Sequence, residues 1–246
     1  MDRSIYVAMT GAAQILRAQD AVSNNLANAS TVGFKSELSA FQPVPVLGPG
    51  EASRINTVAQ GIGEKMTEGA MISTGRTLDV AVQGQGWIAV QAPDGSEAYT
   101  RAGNLQLTAD GQLTDAQGDP VIGNSGPISL PDSQQISIGS DGTISTVPLG
   151  QGPNTLATLD RIKLVDPAPS QLTLGADGLM HMSNGGTAQP SDQVTLVSGQ
   201  LEGSNVDPSS ELVRMIALSR QYDMQMQSIK NAENDADSAN KLLQAN

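Results

Sequence analysis

The chain has 246 residues, a formal net charge of −12 and no cysteine, which excludes a disulfide framework, a thiolate nucleophile and a cysteine-based zinc site. Its acidity is the opposite of the basic face that a nucleic-acid partner requires, and no run of 18 apolar residues is present to cross a membrane as a helix. One Trp, three Tyr and two Phe beside 26 Gly and 13 Pro leave core packing to Val, Ile, Leu, Ala and Met, with many reversals between short elements.

From the N-terminus, Ile5, Met9, Ala12, Leu16, Gln19, Ser23 and Leu26 recur at alternating spacings of four and three, which predicts one helix from Ser4 to about Asn28 with a heptad-like seam. Gln19 and Ser23 occupy seam positions, so the stripe is too thin to fold alone. The helix runs into Asn24, Asn25 and Asn28 and then into Gly33-Phe34-Lys35. The asparagines fit either polar pairing in a packed interface or an ordinary helix end, where Asn and Gly commonly cap. The first 13 residues, MDRSIYVAMTGAA, are a poor secretory signal, because Asp2 sits in the leading region and the apolar run is short.

The period then changes to two. Asp-Gly pairs at 94–95, 110–111, 141–142 and 177–178 are hairpin turns flanked by alternating runs. Strands are expected near 80–82, 87–91, 98–100, 105–107, 135–138, 162–165, 172–174, 179–182 and 194–197. The proline-bearing stretches 42–50 and 147–153 read as turns or extended linkers. The ends of the chain are nearly neutral and the centre is acidic.

The closing stretch is helical again. Asp207 caps, Pro208 suits the first helical position and Glu211 sits where the dipole favours an anion. Met215, Tyr222, Ile229, Ala236 and Leu243 recur every seven residues, flanked by Leu212, Leu218 and Met226. Two thin seams either form a helical hairpin within one molecule or are covered by neighbouring copies, and the weakness of each seam favours neighbours.

No catalytic set emerges. The single histidine, His181, falls on the strand face opposite Met180 and Met182, and no Ser lies in GxSxG. The acidic residues sit mainly in Asp-Gly turns, where Asp supplies turn chemistry. No calcium-loop, HExxH, dinucleotide or cysteine metal pattern is present. No cofactor and no metal are expected.

NNLANASTVGFKS (24–36) resembles the N-terminal signature of the bacterial flagellar rod and hook family. TLDVAVQGQGWIAV, EAYTRAGNLQLTADGQL and LEGSNVDPSSELVRMIALSRQYDMQMQSIKNAENDADSANKLL are similar to that family's central and closing motifs, in the family's order. Trp87 stands where relatives often carry Phe. The opening MDRSIYVAMTGA, the LEGSNV form and the length resemble the proximal rod member more than the distal one.

The resemblance implies a non-enzymatic α+β, mainly β subunit. In it an antiparallel β body, sandwich- or barrel-like, is flanked by terminal helices that pair in a coiled-coil-like manner on assembly. The expected divisions are 1–36 (polymerisation helix and turn), 37–78 with 190–206 (connecting β region), 79–189 (central β domain) and 207–246 (second polymerisation helix). The assembly interface is expected at Ile5, Met9, Leu16, Leu26, Leu212, Met215, Tyr222, Met226, Ile229 and Leu243. The helix-to-body joint is expected at Asn25, Asn28, Thr31, Gly33 and Phe34, where Gly33 permits the reversal and Phe34 anchors it.

The family motif comprises Asp79, Gly84, Gly86, Trp87, Tyr99, Thr100, Arg101, Gly103, Ser204, Asn205 and Val206. Implied partners are copies of the chain, the other proximal rod subunits, the distal rod protein and the flagellar type III export apparatus, with no nucleic acid and no membrane insertion. The implied location is the rod of the basal body, spanning the periplasm, reached without a cleaved signal. The competing readings are a distal rod subunit, a secreted β-rich binding module on a helical stalk and, more distantly, a peptidoglycan-cleaving enzyme, for which no carboxylate pair is found.

Overall fold

A computed structural model describes residues 3–45, 55–131, 133–148 and 156–244. Its contacts divide into two units, one of Met1–Ala29, Ser36–Lys65 and Val206–Asn246, the other of Ser30–Lys35 and Met66–Asn205.

The first unit contains helix α1 (Arg3–Ala27), strands β1 (Glu37–Pro45) and β2 (Ile55–Glu64), and helix α2 (Pro208–Gln244). Asp207 caps α2 as its sequence demands. Its Oδ1 accepts from the Ser209 amide at 3.1 Å and its Oδ2 from the Ser210 hydroxyl at 2.5 Å, bonds that hold its carboxyl below the usual range. The two helices pair within the chain. Ile15, Ala18, Val22 and Leu218 form a buried cluster joined by Met215 and Tyr222.

The buried stripe of α1 runs through Ala8, Ala12, Ile15, Ala18, Val22 and Asn25. Apart from Ala12, each lies one position before the seam residue expected from the 4-3 spacing. Small residues win the inner positions because alanine lets two helix backbones approach closely. The hairpin of β1 and β2 also packs on α1, so a wider arc is covered than a two-helix seam needs.

β1 and β2 form an antiparallel ribbon with a bulge between Leu38 and Ser39. Residues 42–45, expected as part of a turn, are strand. Pro43 faces Thr57 and Pro45 faces Ile55, a placement that proline tolerates because each strand of a two-stranded ribbon has a free edge. Residues 46–50 of that expected turn lie outside the described residues.

The second unit is the β body. In chain order its strands are β3 (Met71–Ser73), β4 (Val80–Gln83), β5 (Trp87–Gln91), β6 (Glu97–Thr100), β7 (Gln106–Leu107), β8 (Leu113–Thr114), β9 (Ile122–Gly123) and β10 (Gly126–Pro127). There follow β11 (Ser133–Ile138), β12 (Thr143–Pro148), β13 (Ala157–Arg161), β14 (Leu164–Val165), β15 (Leu172–Leu174), β16 (Met180–Met182), β17 (Thr195–Ser198) and β18 (Gln200–Glu202). A five-stranded antiparallel sheet has the order β14-β5-β6-β16-β15, and β11-β12-β13 form a second sheet. The remaining strands pair in twos, and no sheet among the described residues closes into a barrel.

All four Asp-Gly pairs turn hairpins or tight reversals, with φ of 86°, 78°, 84° and 80° at Gly95, Gly111, Gly142 and Gly178. Asp94, Asp141 and Asp177 each accept the amide two residues on, the local bond that makes Asp a turn residue. β12 and β13 were not expected. Val147 and Pro148, read as the start of a linker, end β12, and residues 149–153 lie outside the described set.

The period of two splits β5 between two cores. Ile88 and Val90 enter a large cluster with Val80, Leu105, Leu113, Val121, Ile144, Ile162 and Leu196. Trp87 and Ala89 enter a smaller one with Tyr99, Val165, Leu172 and Met180. The stretch expected as one connecting β region is shared, with 37–65 and Val206 in the first unit and 66–78 and 190–205 in the body.

Candidate functional site

In the helical unit the expected interface residues separate by exposure. Ile5, Leu26, Met215, Tyr222 and Ile229 are half-buried, whereas Met9 (53 %), Leu16 (45 %), Leu212 (48 %) and Met226 (44 %) are exposed. The side chain of Leu243, on α2, lies outside the described residues. Tyr6, Val213, Ile216 and Met224 are further large apolar side chains left open to solvent. Large apolar side chains are thus exposed along both helices.

The same unit explains the asparagine run. Asn25 is buried, and its amide brackets one residue of β1. Nδ2 donates to the Glu37 carbonyl at 3.0 Å, and Oδ1 accepts from the Glu37 amide at 2.8 Å. Gln14 Oε1 accepts from the Ala59 amide and Arg214 Nη2 donates to the Ser39 carbonyl. Helix side chains thus act as pairing partners for the ribbon's backbone. Asn28 Nδ2 donates to the Asn24 carbonyl at 3.0 Å and to its Oδ1 at 2.9 Å, closing the helix end.

In the β body, residues 30–35 and the motifs drawn from distant parts of the chain converge on one carboxylate. Glu202 is fully buried. Lys35 Nζ lies 2.6 Å from its Oε1 and Arg101 Nη1 2.8 Å from its Oε2. The Gly69 amide donates to Oε1 at 3.0 Å. Lys35 also donates to the Thr67 carbonyl and Arg101 Nη2 to the Gly84 carbonyl, and the guanidinium sits 5.4 Å from the centroid of the Trp87 ring.

Gly33, with φ of 71°, brings its amide to the Glu202 carbonyl at 2.7 Å. A Cβ there would lie 2.3 Å from the Arg101 carbonyl carbon. Phe34 is half-buried and its carbonyl accepts from the Asn205 amide, whose side chain donates to the Thr67 carbonyl. Thr31 is exposed, and its carbonyl accepts from the Phe34 amide at 3.4 Å.

The rest of the motif frames this cluster. Gly103 hands its carbonyl to the Val80 amide, and a Cβ on it would lie 1.7 Å from the Val80 oxygen. Gly86 packs where a Cβ would strike Val194. Asp79 is buried and paired with Arg76 at 2.9 Å. Thr100 Oγ1 accepts from the Ala102 amide. Tyr99 donates to Glu97 and accepts from the Ala188 amide at 2.6 Å, and burial pushes its phenol up to about 12. Ser204 is half-buried, and Val206 is buried in the first unit.

Electrostatics follow from burial. Desolvation pulls the Lys35 ammonium below its usual range, against the attraction of Glu202. Burial pushes the Glu202 carboxyl up, but Lys35, the Gly69 amide and Arg101 together bring it below the ordinary range. Lys35 and Glu202 were not among the expected site residues, although both stand inside quoted motifs, GFK and LEGSN.

His181 is half-buried and 2.9 Å from Asp177 Oδ2 across its own turn. Among the described residues, no group of three or more His, Asp or Glu is arranged to hold a metal.

Three family models match in chain order: "Flagella basal body rod protein" over residues 5–35, "Flagellar hook protein FlgE/F/G D1 domain" over 81–146 and "Flagellar basal body rod FlgEFG protein C-terminal" over 197–242. These define the class, an axial subunit of the flagellar rod and hook. The chain is 44 % identical to the flagellar basal-body rod protein FlgF of Escherichia coli K12 and 43 % identical to that of Salmonella typhimurium LT2, each match covering 99 % of both chains. It is 35 % identical to the rod protein FlgG of Bacillus subtilis, over 90 % of this chain and 92 % of that one. The chain belongs to the FlgF family of flagellar basal-body rod proteins. It is a structural subunit of the basal body and not an enzyme.

Proposed function

We propose that the chain is a proximal rod subunit that polymerises through its terminal helices into the axial shaft carrying motor torque toward hook and filament. The observation that carries this reading is the band of exposed apolar side chains on α1 and α2 of a rod-family subunit, among them Met9, Leu16, Leu212 and Met226. Identical or homologous neighbours cover that band in the rod, and contacts of this head-to-tail kind build an open helical assembly. Residues 1–36 and 207–246 act as the polymerising segments, 79–189 as the central body, and 37–78 with 190–206 as the region connecting them.

Its neighbours are copies of itself, the other proximal rod subunits and the distal rod protein. The chain reaches the periplasm-spanning rod through the flagellum's own export apparatus. Deleting the gene, imaging purified basal bodies by electron microscopy and scoring soft-agar motility tests the reading. Truncated or missing rods, restored by the intact gene, are expected. Normal rods and normal swimming sink it.

A further inference from the structure

The chain crosses between its two units at 29–30, 35–36, 65–66 and 205–206. Inside the β body each of these crossings lies within a few residues of the buried ionic cluster. Lys35 precedes the second crossing, Thr67 and Gly69 follow the third, and Glu202 to Asn205 lead into the last. Gly33, just beyond the first, is bonded to the Glu202 backbone. We infer that Glu202 is the positioning residue of this rod subunit, a fastener that ties the second and third passages out of the β body to its carboxylate and the first to its backbone carbonyl, itself precedes the last, and holds those passages in place when the rod is loaded. The inference rests on the rod-subunit reading.

Stability alone does not account for the choice of residues. A buried carboxylate with two cations loses much of its attraction to desolvation, and well-packed apolar residues of similar size commonly do as well. Ion pairs differ from apolar contacts in how they resist displacement. Apolar contacts are non-directional, so a small displacement exchanges one buried neighbour for another without separating charges. Moving Glu202 by a bond length separates charges in a low-dielectric interior, where the Thr67 and Gly84 carbonyls that Lys35 and Arg101 still hold are no substitute for a carboxylate.

The carboxylate's contacts come from three separate segments of chain, Lys35 at 2.6 Å, Arg101 at 2.8 Å and the Gly69 amide at 3.0 Å. Arg101 is in turn held by the Gly84 carbonyl and the Trp87 face. Displacing Lys35, Gly69 or Glu202 from its place therefore breaks a charge-assisted bond. Gly69 is fitted to the same end, since a Cβ there would lie 1.9 Å from the Gly203 carbonyl oxygen.

Two measurements test this. In the purified full-length protein, amide exchange at Gly33 and Gly69 is expected to be as slow as at Ala89 in the centre of β5. In Glu202→Gln, exchange at Gly33 and Gly69 is expected to accelerate about 10-fold or more beyond any change at Ala89. Exchange at these glycines as fast as at exposed turns in the unaltered chain overturns the inference, whatever the variant does.

The second uses the apolar triple variant Lys35→Met, Arg101→Met, Glu202→Leu. Its thermal midpoint is expected to stay near that of the unaltered chain and rods to form, while swimming speed falls severalfold as the medium is thickened. A folded triple variant that swims as well as the unaltered chain at every viscosity reduces the cluster to a stabilising contact and overturns the role. If the triple does not fold, the exchange result on the unaltered chain decides alone. Failure of the intact gene to restore motility to the deletion strain would instead sink the rod-subunit reading, which the exchange measurement does not touch.

Discussion

At Glu202 one carboxylate serves two cations and an amide, and removing its charge leaves Lys35 and Arg101 buried without the carboxylate that they share. Glu202→Gln is expected to destabilise the body by about 3–5 kcal/mol, the usual result of breaking a buried pair from one side. Urea unfolding read by the single Trp, Trp87, which lies in this body, measures it. The folded carboxyl titrates below its ordinary value of 4.5. Its contribution is therefore complete above about pH 4.5 and is lost as pH falls through the lower, folded value. A pH series of urea midpoints should show this acid loss in the unaltered chain and a shallower one in the variant. Lys35 and Glu202 escaped the sequence because Lys and Glu are almost never fully buried unless paired, and these two stand 167 positions apart. Arg101 was visible only as a member of a family motif, and Gly33 as that and as a helix end. Their shared purpose, a backbone reversal packed against the Arg101 peptide, needed coordinates.

Among the elements, the strands bounded by Asp-Gly were legible because turn chemistry is local: a positive-φ glycine and an Asp bonded two residues ahead announce themselves in four letters. β1 was not among the expected strands, and from Gln42 on it read as a turn or linker, since proline argues against a strand until the strand is known to have a free edge. The seam of α1 was displaced by one position because the apolar period does not say which side of a thin stripe a partner takes. That displacement has a use. Leu16 is exposed in the chain, so Leu16→Asp is expected to leave the helical unit's circular dichroism and melting nearly unchanged while abolishing incorporation into rods. A variant protein recovered in basal bodies removes Leu16 from the interface. Ile229, expected in the same interface, is half-buried in the chain, so Ile229→Asp would confound loss of assembly with loss of helix pairing. At the start of α2, Asp207→Ala deletes both cap bonds, and the helical unit should lose about 1 kcal/mol by thermal or urea unfolding.

For the whole molecule, the β body is assembled from two separated pieces of chain, 30–35 and 66–205, and this makes its stability depend on a segment that no fragment drawn from the long piece contains. Two ways of losing Lys35 ought then to differ. In full-length Lys35→Met the surrounding chain stays in place, water remains excluded, and Glu202 keeps Arg101 and the Gly69 amide but loses one cation in a closed interior. The expected loss is about 3–5 kcal/mol, as for other one-sided removals. In a fragment of residues 66–205 the whole segment that covers Glu202 is gone, so solvent reaches the carboxylate and supplies what Lys35 did. That fragment forfeits the contacts of Gly33 and Phe34 but escapes the buried-charge penalty. The deciding comparison is between Lys35→Met in the full chain and Lys35→Ala, whose shorter side chain leaves room for water beside Glu202. If exclusion of water sets the cost, Lys35→Ala should unfold at higher urea than Lys35→Met, although methionine is the closer match in size. The opposite order would mean that packing volume, not charge, governs Lys35, and the cluster would then act as an apolar plug with ionic ends.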